Sequence, residues 1–417
     1  MCDVWPATGN REQGTTERME NMHKYLTADM PGIGGMIKEK PEDFQVTEIP
    51  VYLPCGEGEH TFVEIEKRGI TTLEAIRRLA RSVSIPEREI GYAGMKDAGG
   101  ITRQTLSFPR IAPERFRDLE LPGIRVISAL LHKNKLRLGH LAGNRFRIKV
   151  AGVASDAREK AGAILTVLKE RGVPNYFGVQ RYGAQGNYPY VGRSLLLGDF
   201  KAVVDGIMGD PQSVEDERWR NAISAYHDGD LVKSLDTFPG FCRTERDILS
   251  RLVRSPDAHE KALHALNPRL KRLYLSAYQS ALFDRILDHR LAGLDRVVEG
   301  DLAFKHVNGA CFLVEDPAVE SCRAETFEIS PSGPLFGCKM TLPRGVPLEL
   351  ENSVLNEEGI TLEQFALSGG LRMEGERRPL RIQLKDPVTE MDDAALVLEF
   401  SLPRGAYATS VLREIMK

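Results

Sequence analysis

The chain has 417 residues, of which 42% are hydrophobic, and its formal net charge is −3. This length accommodates roughly two or three domains, and the absence of any apolar run of about 20 residues excludes a membrane-spanning segment. Residues 1–22 lack the basic start and apolar core of a secretory signal, so we expect a cytoplasmic protein. The weakly negative charge excludes a protein that coats nucleic acid through its overall charge.

In chain order, alternating apolar and acidic residues over 63–66 predict a half-buried strand. Thr71, followed by Glu74, predicts a capping box at the start of a helix that ends before Pro86. Further strands are predicted at 103–108, 125–130 and 145–150. A second helix is predicted from about Asp156 to Gly172, which serves as its C-cap.

The sequence pattern changes past residue 190. Residues 196–270 indicate charged helices, and another helix is predicted at about 272–292. Strand-like segments follow near 310–350, and then a helix is predicted at about 353–367. The last residues predict strands and a terminal helix. Because regular alternation of strands and helices is absent, this pattern favours the α+β class, with one block of sequence inserted between parts of another.

Cysteines and histidines are scattered along the chain. The six cysteines include no C-x-x-C pair, and the nine histidines show no metal-ligand spacing. We therefore expect reduced cysteines and no metal site.

A stretch without acidic residues runs from Leu121 to Ser155. Its basic residues are Arg125, Lys133, Lys135, Arg137, Arg145, Arg147 and Lys149. One interpretation is an electrostatic footprint for phosphates. The other is a solvated strand-loop-strand surface whose acidic partners come from elsewhere in the chain. The sequence favours neither.

The segment GYAGMKDAGGITRQ (91–104) places one carboxylate, Asp97, between a lysine and small residues after a predicted strand. Glycines allow a substrate to approach the backbone closely. Such a cluster is also typical of a surface turn. Its residues alone therefore leave both interpretations open.

Five segments, in order, carry a resemblance that extends from about Lys38 to the end of the chain. They are KPEDFQVTEIP (40–50), GYAGMKDAGGITRQ (91–104), LRLGHLAGNRFRIKV (136–150), GVPNYFGVQRYG (172–183) and LPRGAYATSVLREI (402–415). Together they resemble the TruD family of tRNA pseudouridine synthases.

The resemblance implies isomerisation of a uridine in tRNA, expected at uridine 13, without a cofactor and without an obligate protein partner. It also implies that Asp97 is the catalytic aspartate. A carboxylate can attack the anomeric carbon as a nucleophile, or it can remove a proton from the neighbouring ribose carbon to give a glycal. The sequence does not choose between these routes. An ionised Asp97 calls for a nearby cation, and Lys38 matches the family's basic residue.

Four further residues match pocket positions of the family. They are Phe44, Asn144, Phe146 and Tyr407. A uridine turned out of its stack needs ring contacts and partners for its polar edge. Three of them also have a simpler interpretation: core packing for Phe44 and Phe146, and a turn residue for Asn144. Tyr407 stands where many family members have phenylalanine, which leaves its detailed role open.

The chain departs from the family directly after Asp97, where Ala98, Gly99 and Gly100 replace basic or bulkier residues. A phosphate contact expected there could come from Arg103. The predicted RNA contacts are Lys96, Arg103, Lys133, Lys135, Arg137, Arg145, Arg147 and Lys149, with Arg377, Arg378 and Arg381 as further candidates. For Lys96, a plain surface lysine is an equal alternative.

For the architecture, the resemblance implies a mixed, largely antiparallel catalytic sheet. We predict a polar extension at 1–30, a discontinuous catalytic domain at 31–183 and 371–417, and an inserted TRUD domain at 184–370. Two functions of other classes are also considered. One is a non-catalytic RNA-binding protein, and the other is a nucleoside or sugar hydrolase, which needs a second carboxylate. Glu48 is the candidate for that second acid, although a strand-edge or ion-pair role suits it better.

Overall fold

The structure, a computed structural model, describes residues 23–96, 98–117 and 119–417. Asp97 and residues 1–22, on which two predictions fall, lie outside the described residues. The chain divides into two units. Within the described part, unit 1 comprises Thr27–Val173 and Ile382–Lys417, and unit 2 comprises residues 23–26 and Pro174–Arg381.

Unit 1 begins with six strands and two helices. The strands are β1 (Phe44–Pro50), β2 (His60–Arg68), β3 (Gly91–Tyr92), β4 (Ile101–Pro109), β5 (Ile124–His132) and β6 (Leu141–Val150). The helices are α1 (Thr72–Val83) and α2 (Ala157–Arg171). The predicted strands lie within β2, β4, β5 and β6, and the two predicted helices correspond to α1 and α2.

Unit 2 is mainly helical. Its helices are α3 (Tyr188–Leu197), α4 (Phe200–Met208), α5 (Glu217–His227), α6 (Leu231–Thr237), α7 (Arg243–Leu252), α8 (His259–Ala262), α9 (Pro268–Arg290), α10 (Pro317–Glu325) and α11 (Gly345–Glu358). Its four-stranded sheet contains β8 (Leu302–Lys305), β9 (Cys311–Leu313), β10 (Ile329–Leu335) and β11 (Glu376–Pro379). Two short strands, β7 (Val173–Pro174) and β12 (Arg381–Ile382), lie where the chain passes between the units.

The chain then returns to unit 1 as β13 (Lys385–Asp392), β14 (Ala395–Pro403) and the helix α12 (Ala408–Met416). The main sheet of unit 1 has the order β13-β14-β6-β1-β4-β2-β5, with β3 added beside β4. Strands β1 and β4 run parallel, and the other pairings along this sheet are antiparallel. The sheet is therefore mixed and largely antiparallel, as predicted.

One face of this sheet is apolar and the other is charged. Along β6, Phe146 and Ile148 are buried, whereas Arg145 and Arg147 are exposed. This alternation is what an antiparallel sheet with one solvated face requires. Helix α1 packs on the apolar face of strands β2, β4 and β5.

Helix α1 begins at the predicted cap. The Thr71 hydroxyl accepts a hydrogen bond from the Glu74 backbone N–H at 3.1 Å. The Glu74 carboxylate does not complete a capping box, because it binds Arg77 and Arg78 within the same helix. The cap is therefore one half of the predicted motif.

The helix predicted at 353–367 is wrong in its bounds. Helix α11 begins at Gly345 and ends at Glu358, where Gly359 adopts a left-handed conformation with φ of 66°. This is a common helix ending. A separate 3₁₀ turn, Leu362–Phe365, follows it. The strand-like segment predicted near 310–350 also contains helix α10, which Asp316 caps through its side chain.

The two units divide at Val173–Pro174 and at Arg381–Ile382, whereas the predicted domains divide near 183 and 371. In both descriptions one block interrupts another. Within the predicted 1–30 extension, Thr27 is buried, and its hydroxyl donates to Glu414 at 2.7 Å, so the described end of this segment belongs to the core of unit 1. The assignment of these blocks as catalytic and TRUD domains stays a prediction. In the described part of the chain, no helix combines the length and apolarity needed to cross a membrane.

Candidate active site

Three neighbouring strands in the middle of the unit 1 sheet, β6, β1 and β4, direct buried side chains to the same face. Val46 on β1 lies opposite Phe146 on one side and Thr102 on the other, and Glu48 lies opposite Asn144. Because side chains alternate along a strand, Phe44 shares this face with Val46 and Glu48. The structure thus brings the predicted residues Phe44, Asn144 and Phe146 to one surface, which we call the site face.

The aromatic part of the site face is closely packed. The rings of Phe44 and Phe146 meet edge to face with centroids 6.4 Å apart, and Phe400 lies 5.5 Å from Phe146. Phe44 and Phe146 are 7% and 6% exposed. Their contacts fit core packing, and a wall for a bound base also remains consistent with them.

Lys38 lies beside this aromatic group. Its ammonium is 4.6 Å from the centroid of the Phe44 ring, within cation–π range. Its backbone has φ of 61°, a left-handed conformation that is uncommon for a residue other than glycine. The predicted cation and the predicted pocket ring are therefore in contact.

The backbone of Lys96, the residue directly before Asp97, is anchored by a buried hydroxyl. The Lys96 N–H donates to Thr72 Oγ1 at 2.9 Å, and the Thr72 hydroxyl donates to Gln104 Oε1 at 2.9 Å. Thr72 is the first residue of α1, and Gln104 lies on β4, so two elements fix the entry to the segment that carries Asp97. Neither Thr72 nor Gln104 was predicted from the sequence. The signal in the sequence was that both residues are polar, although the periodicity of the helix and of the strand predicts buried side chains at these two positions.

The side chain of Lys96 forms a buried ion pair with Glu48. The ammonium lies 3.0 Å from Glu48 Oε2, and the two side chains are 6% and 4% exposed. The contact is an ion pair between two almost completely buried side chains. Burial raises the pKa of the Glu48 carboxyl, and the Lys96 charge acts in the opposite direction.

This pair changes two expectations. Lys96 was predicted to contact RNA, yet in this structure its charge is turned inward to Glu48, so a phosphate contact would require the pair to separate. Glu48 was considered as a second acid, and its strand position and ion pair agree with the structural role that suited it better.

Several polar atoms of the site face lack partners. Thr102 Oγ1, Gln104 Nε2 and Asn144 Oδ1 are buried, and none has a hydrogen-bond partner among the described residues. Leaving such atoms unpaired is unfavourable, so a group of them calls for an explanation. One donor and two oxygens, on the two strands β4 and β6 that flank β1, can satisfy the polar edge of a bound base.

The turn after Asp97 lies directly against β1. A Cβ atom added to Gly100 would stand 2.2 Å from the Phe44 carbonyl oxygen, which is too close for any side chain. Residues 98–100 depart from the family pattern, and at one of them, Gly100, close packing against β1 requires a glycine.

Tyr407 lies at the start of α12 and is 39% exposed. It follows β14, on which Phe400 pairs with Phe146 and Leu402 with Asn144. The C-terminal segment therefore returns to the strand that carries the site residues.

Five of the predicted basic residues lie on the opposite, charged face of the sheet, and each has an acidic partner. These pairs are Arg103 and Arg125 with Glu66, Arg145 and Arg147 with Glu399, and Lys149 with Asp392. The partners come from β2, β14 and β13, as the second interpretation of the acid-free stretch required. That these five residues contact RNA stays a prediction, and any such contact would lie on the face opposite the site face.

The remaining predicted basic residues, Lys133, Lys135 and Arg137, lie in the turn between β5 and β6. Lys133 pairs with Glu57 at 2.6 Å, and both side chains are exposed. Because an exposed pair is weak, Lys133 stays available to a phosphate.

The three arginines suggested as further phosphate contacts have structural roles in unit 2. Arg377 pairs with buried Glu351 at 2.8 Å, and the Arg378 guanidinium donates to Asn175. Arg381 is completely buried. The suggestion is wrong for Arg381, which has no exposed surface to offer a phosphate. Among the described residues, no group of three or more His, Cys, Asp and Glu side chains could hold a metal ion.

Comparison with known proteins decides the family. Residues 20–415 match the family model described as tRNA pseudouridine synthase D (TruD). The tRNA pseudouridine synthase D of Geotalea daltonii is 61% identical over 396 residues, covering 95% of this chain and 100% of the relative. That of Geobacter sulfurreducens is 63% identical over 400 residues, covering 96% of this chain and 98% of the relative.

The chain belongs to the tRNA pseudouridine synthase D (TruD) family.

A solved structure agrees with this. The crystal structure of the putative tRNA pseudouridine synthase D (TruD) from Methanosarcina mazei superposes with a TM-score of 0.84 at 29% identity, over 96% of this chain and 97% of that one. The α+β fold class and the resemblance drawn from the five segments are confirmed. As a TruD-family member, the chain is a tRNA pseudouridine synthase, an isomerase that converts uridine to pseudouridine.

Proposed function

We propose that this enzyme isomerises one uridine of tRNA, expected to be uridine 13, with Asp97 as its catalytic carboxylate. The observation that supports this most is the fixed position of Lys96. Its N–H is held by Thr72 and its ammonium by Glu48, so the segment entering Asp97 is anchored at the site face. Anchored backbone of this kind holds a reacting group in a defined geometry.

The proposed reaction rearranges atoms within the substrate. The bond between C1′ of the ribose and N1 of uracil breaks, and a bond from C1′ to C5 forms. C5 loses its proton and N1 gains one, so there is no net oxidation and no cofactor is needed. The Asp97 carboxylate begins the sequence either as a nucleophile at C1′ or as a base at the neighbouring carbon. Both routes remain open.

The site face offers a place for the detached base. Phe44 and Phe146 supply ring surface, and Asn144, Thr102 and Gln104 supply polar atoms that have no partner among the described residues. A detached uracil must rotate while it stays bound, which requires contacts that tolerate both orientations. Flat ring contacts have this property because stacking is insensitive to which edge of the base is presented.

The test is a pseudouridine assay on unmodified tRNA by carbodiimide mapping, with the wild type and with Asp97→Asn. We expect product at a single uridine with the wild type and none with the variant. Equal product from both would remove Asp97 from the chemistry. Product at another position would contradict uridine 13 alone and leave the reaction intact.

The same experiment separates the two alternatives. Release of free uracil would favour a hydrolase, and tight tRNA binding without product would favour a non-catalytic RNA-binding protein. Glu48 lends little support to the hydrolase, because its charge is engaged by Lys96. We also propose a cytoplasmic location, because the substrate is tRNA, and cell fractionation tests it.

A further inference from the structure

A cavity of about 480 Å³ opens in unit 1, away from the residues assigned to the site face. Its lining residues are Tyr52, His132, Asn134, Lys135, Arg137 and His140. The volume falls within the roughly 300–1,000 Å³ of small-molecule sites. The lining contains two cations, two imidazoles and a phenol, and it contains no acid.

The rings of this cavity form an ordered platform. Tyr52 stacks on His132 with centroids 5.1 Å apart and planes inclined by 15°, and Phe62 supports His132 from 4.4 Å. The Tyr52 hydroxyl and His140 Nδ1 share a hydrogen bond of 2.7 Å. His132 Nδ1 is buried and has no hydrogen-bond partner among the described residues. A polar ring atom is thus left for a ligand.

The cations of the cavity are not neutralised. In the described ranges neither Lys135 nor Arg137 forms an ion pair, in contrast to the paired arginines of the charged sheet face. Lys135 donates one hydrogen bond to the Arg88 carbonyl at 3.2 Å and keeps further donors. Burial raises the pKa of the Tyr52 hydroxyl, and the charge of Arg137 acts against that rise, so the field of Arg137 reaches the ring platform.

The cavity is joined to the segment that leads to Asp97. The Gly139 N–H donates to the Ala93 carbonyl at 2.8 Å. Ala93 packs in a small buried cluster with Phe62, Leu136 and Leu141, and Tyr52 lies against this cluster. The wall of the cavity and the chain just before Lys96 therefore form one packed group.

We propose that this cavity binds an unpaired nucleotide of the substrate tRNA, with its phosphate on Lys135 and Arg137 and its base on the Tyr52 and His132 rings. Proteins recognise single-stranded RNA by this combination of cations and ring platforms. The inference rests on the proposed function, since it takes tRNA as the ligand. It assigns the RNA contacts to the turn between β5 and β6 and to the rings beside it, and not to the paired arginines Arg145 and Arg147 of β6.

The test compares tRNA affinity and its salt dependence among full-length variants. Lys135→Ala/Arg137→Ala removes the two charges, Tyr52→Leu removes the ring, and Tyr52→Phe keeps the ring without the hydroxyl. Arg158→Ala/Lys169→Ala, at two exposed positions of helix α2, is the charge-matched control. Binding of an unmodified tRNA transcript is followed by fluorescence anisotropy at several salt concentrations. Single-turnover pseudouridine formation is measured in parallel.

For the charge variant we expect an increase in Kd of about tenfold or more and a salt slope smaller in magnitude by about one. For Tyr52→Leu we expect an increase in Kd of roughly five- to tenfold at an unchanged salt slope, because stacking is not electrostatic. Tyr52→Phe should bind nearly as the wild type does. Thermal melting shows whether each variant is folded.

The proposal is overturned if the charge variant, folded, binds tRNA as the α2 control does, or if Tyr52→Leu and Tyr52→Phe are equal in affinity. Failure of the proposed function is seen separately. In that case the wild type itself forms no pseudouridine, whatever the cavity variants do to binding. An effect of free inorganic phosphate on wild-type melting, without any effect of the variants on tRNA binding, would also contradict an RNA site.

Discussion

The ammonium of Lys96 lies 3.0 Å from a carboxylate oxygen of Glu48, and both side chains are almost completely removed from solvent. Lys96 immediately precedes Asp97, and Glu48 is on β1 in the middle of the sheet. The pair therefore connects the segment of the proposed catalytic residue to the most central part of unit 1. Removing one partner of a buried pair leaves the other charge uncompensated.

For this reason we expect Glu48→Gln to lower the free energy of unfolding by about 3 kcal/mol. We also expect the single-turnover rate to fall by about tenfold or more, because the segment before Asp97 loses its anchor. Urea denaturation and the carbodiimide assay measure the two effects. Glu64→Gln, on strand β2 and on the opposite face of the sheet, is the control and should change neither.

A second variant separates stability from positioning. Glu48→Gln/Lys96→Met replaces the pair with uncharged groups, and we expect most of the lost stability to return while the rate stays low. Wild-type rates in both variants would show that the pair does not position Asp97.

The hydroxyl of Thr72 gives a second prediction about positioning. Thr72→Val removes the acceptor of the Lys96 N–H and the donor to Gln104, so we expect a loss of about 1–3 kcal/mol in stability. The saturating rate should fall while Kd for tRNA stays close to the wild-type value. Thr72→Ser keeps the hydroxyl and should restore the rate. A Thr72→Val variant with the wild-type rate would contradict a positioning role for this hydroxyl.

Two glycines should respond to alanine in opposite ways. Gly100→Ala places a Cβ atom against the Phe44 carbonyl, so we expect a displaced turn, lower stability and a large loss of activity. Gly162→Ala, within helix α2, meets no atom within 4 Å and should raise stability by about 0.5–1 kcal/mol. Thermal melts of both variants check the signs. Tolerance of alanine at residue 100 would contradict the close approach of this turn to β1.

The charged face of the sheet yields a negative prediction. Arg145→Ala/Arg147→Ala should leave Kd for tRNA within about twofold and the salt slope unchanged, because both arginines pair with Glu399 on the face opposite the site. The measurement is the same anisotropy titration over salt. If the double variant had a salt slope of tRNA binding smaller in magnitude by about two, both arginines would contact RNA phosphates, and the prediction would be wrong.

A pH effect is expected from unit 2. Asp284 is completely buried, accepts hydrogen bonds from the Phe177 N–H and the Tyr182 hydroxyl, and faces His23. Burial raises its pKa to about 7 from the usual 3.8, although the charge of His23 opposes this rise. The folded state therefore holds this proton at pH values where the unfolded state has lost it.

The sign follows from this difference. The contribution of Asp284 to stability is complete below pH 4 and declines as pH rises toward about 7, with a slope of up to about 1.4 kcal/mol per pH unit. Asp284→Asn cannot titrate, so the difference between the two proteins in urea melts from pH 5 to pH 8 reports Asp284 together with its contact to His23. The pKa of Glu351 is also raised to about 7, but Glu351 is present in both proteins and its effect cancels. A difference independent of pH would contradict the prediction.

The strands of unit 1 could be predicted from sequence because their periodicity is local. Buried Phe146 and Ile148 alternate with exposed Arg145 and Arg147, and this pattern alone fixes the strand and its two faces. The same pattern could not show that Glu399 neutralises those arginines, because that partner lies some 250 residues away along the chain and is set by strand pairing.

The site was predicted in part, for a similar reason. The resemblance pointed to Phe44, Asn144 and Phe146, and strand register does bring them to one face. The anchor made by Thr72 and Gln104 depends on how a helix start meets a strand, which no spacing reveals. The end of helix α11 was also missed, because the left-handed Gly359 was not recognised as its stop.

The order of synthesis places a constraint on this fold. Strand β14 completes the sheet beside β6, yet it is separated from β6 by the whole of unit 2. While the ribosome translates unit 2, β14 does not yet exist, so a β6 strand that pairs with β1 would present unpaired backbone groups on its other side. An open strand edge of this kind is a template for wrong pairing. Unit 2 can finish folding first, and the nascent chain must keep the edge of β6 unoccupied until residues 395–403 emerge.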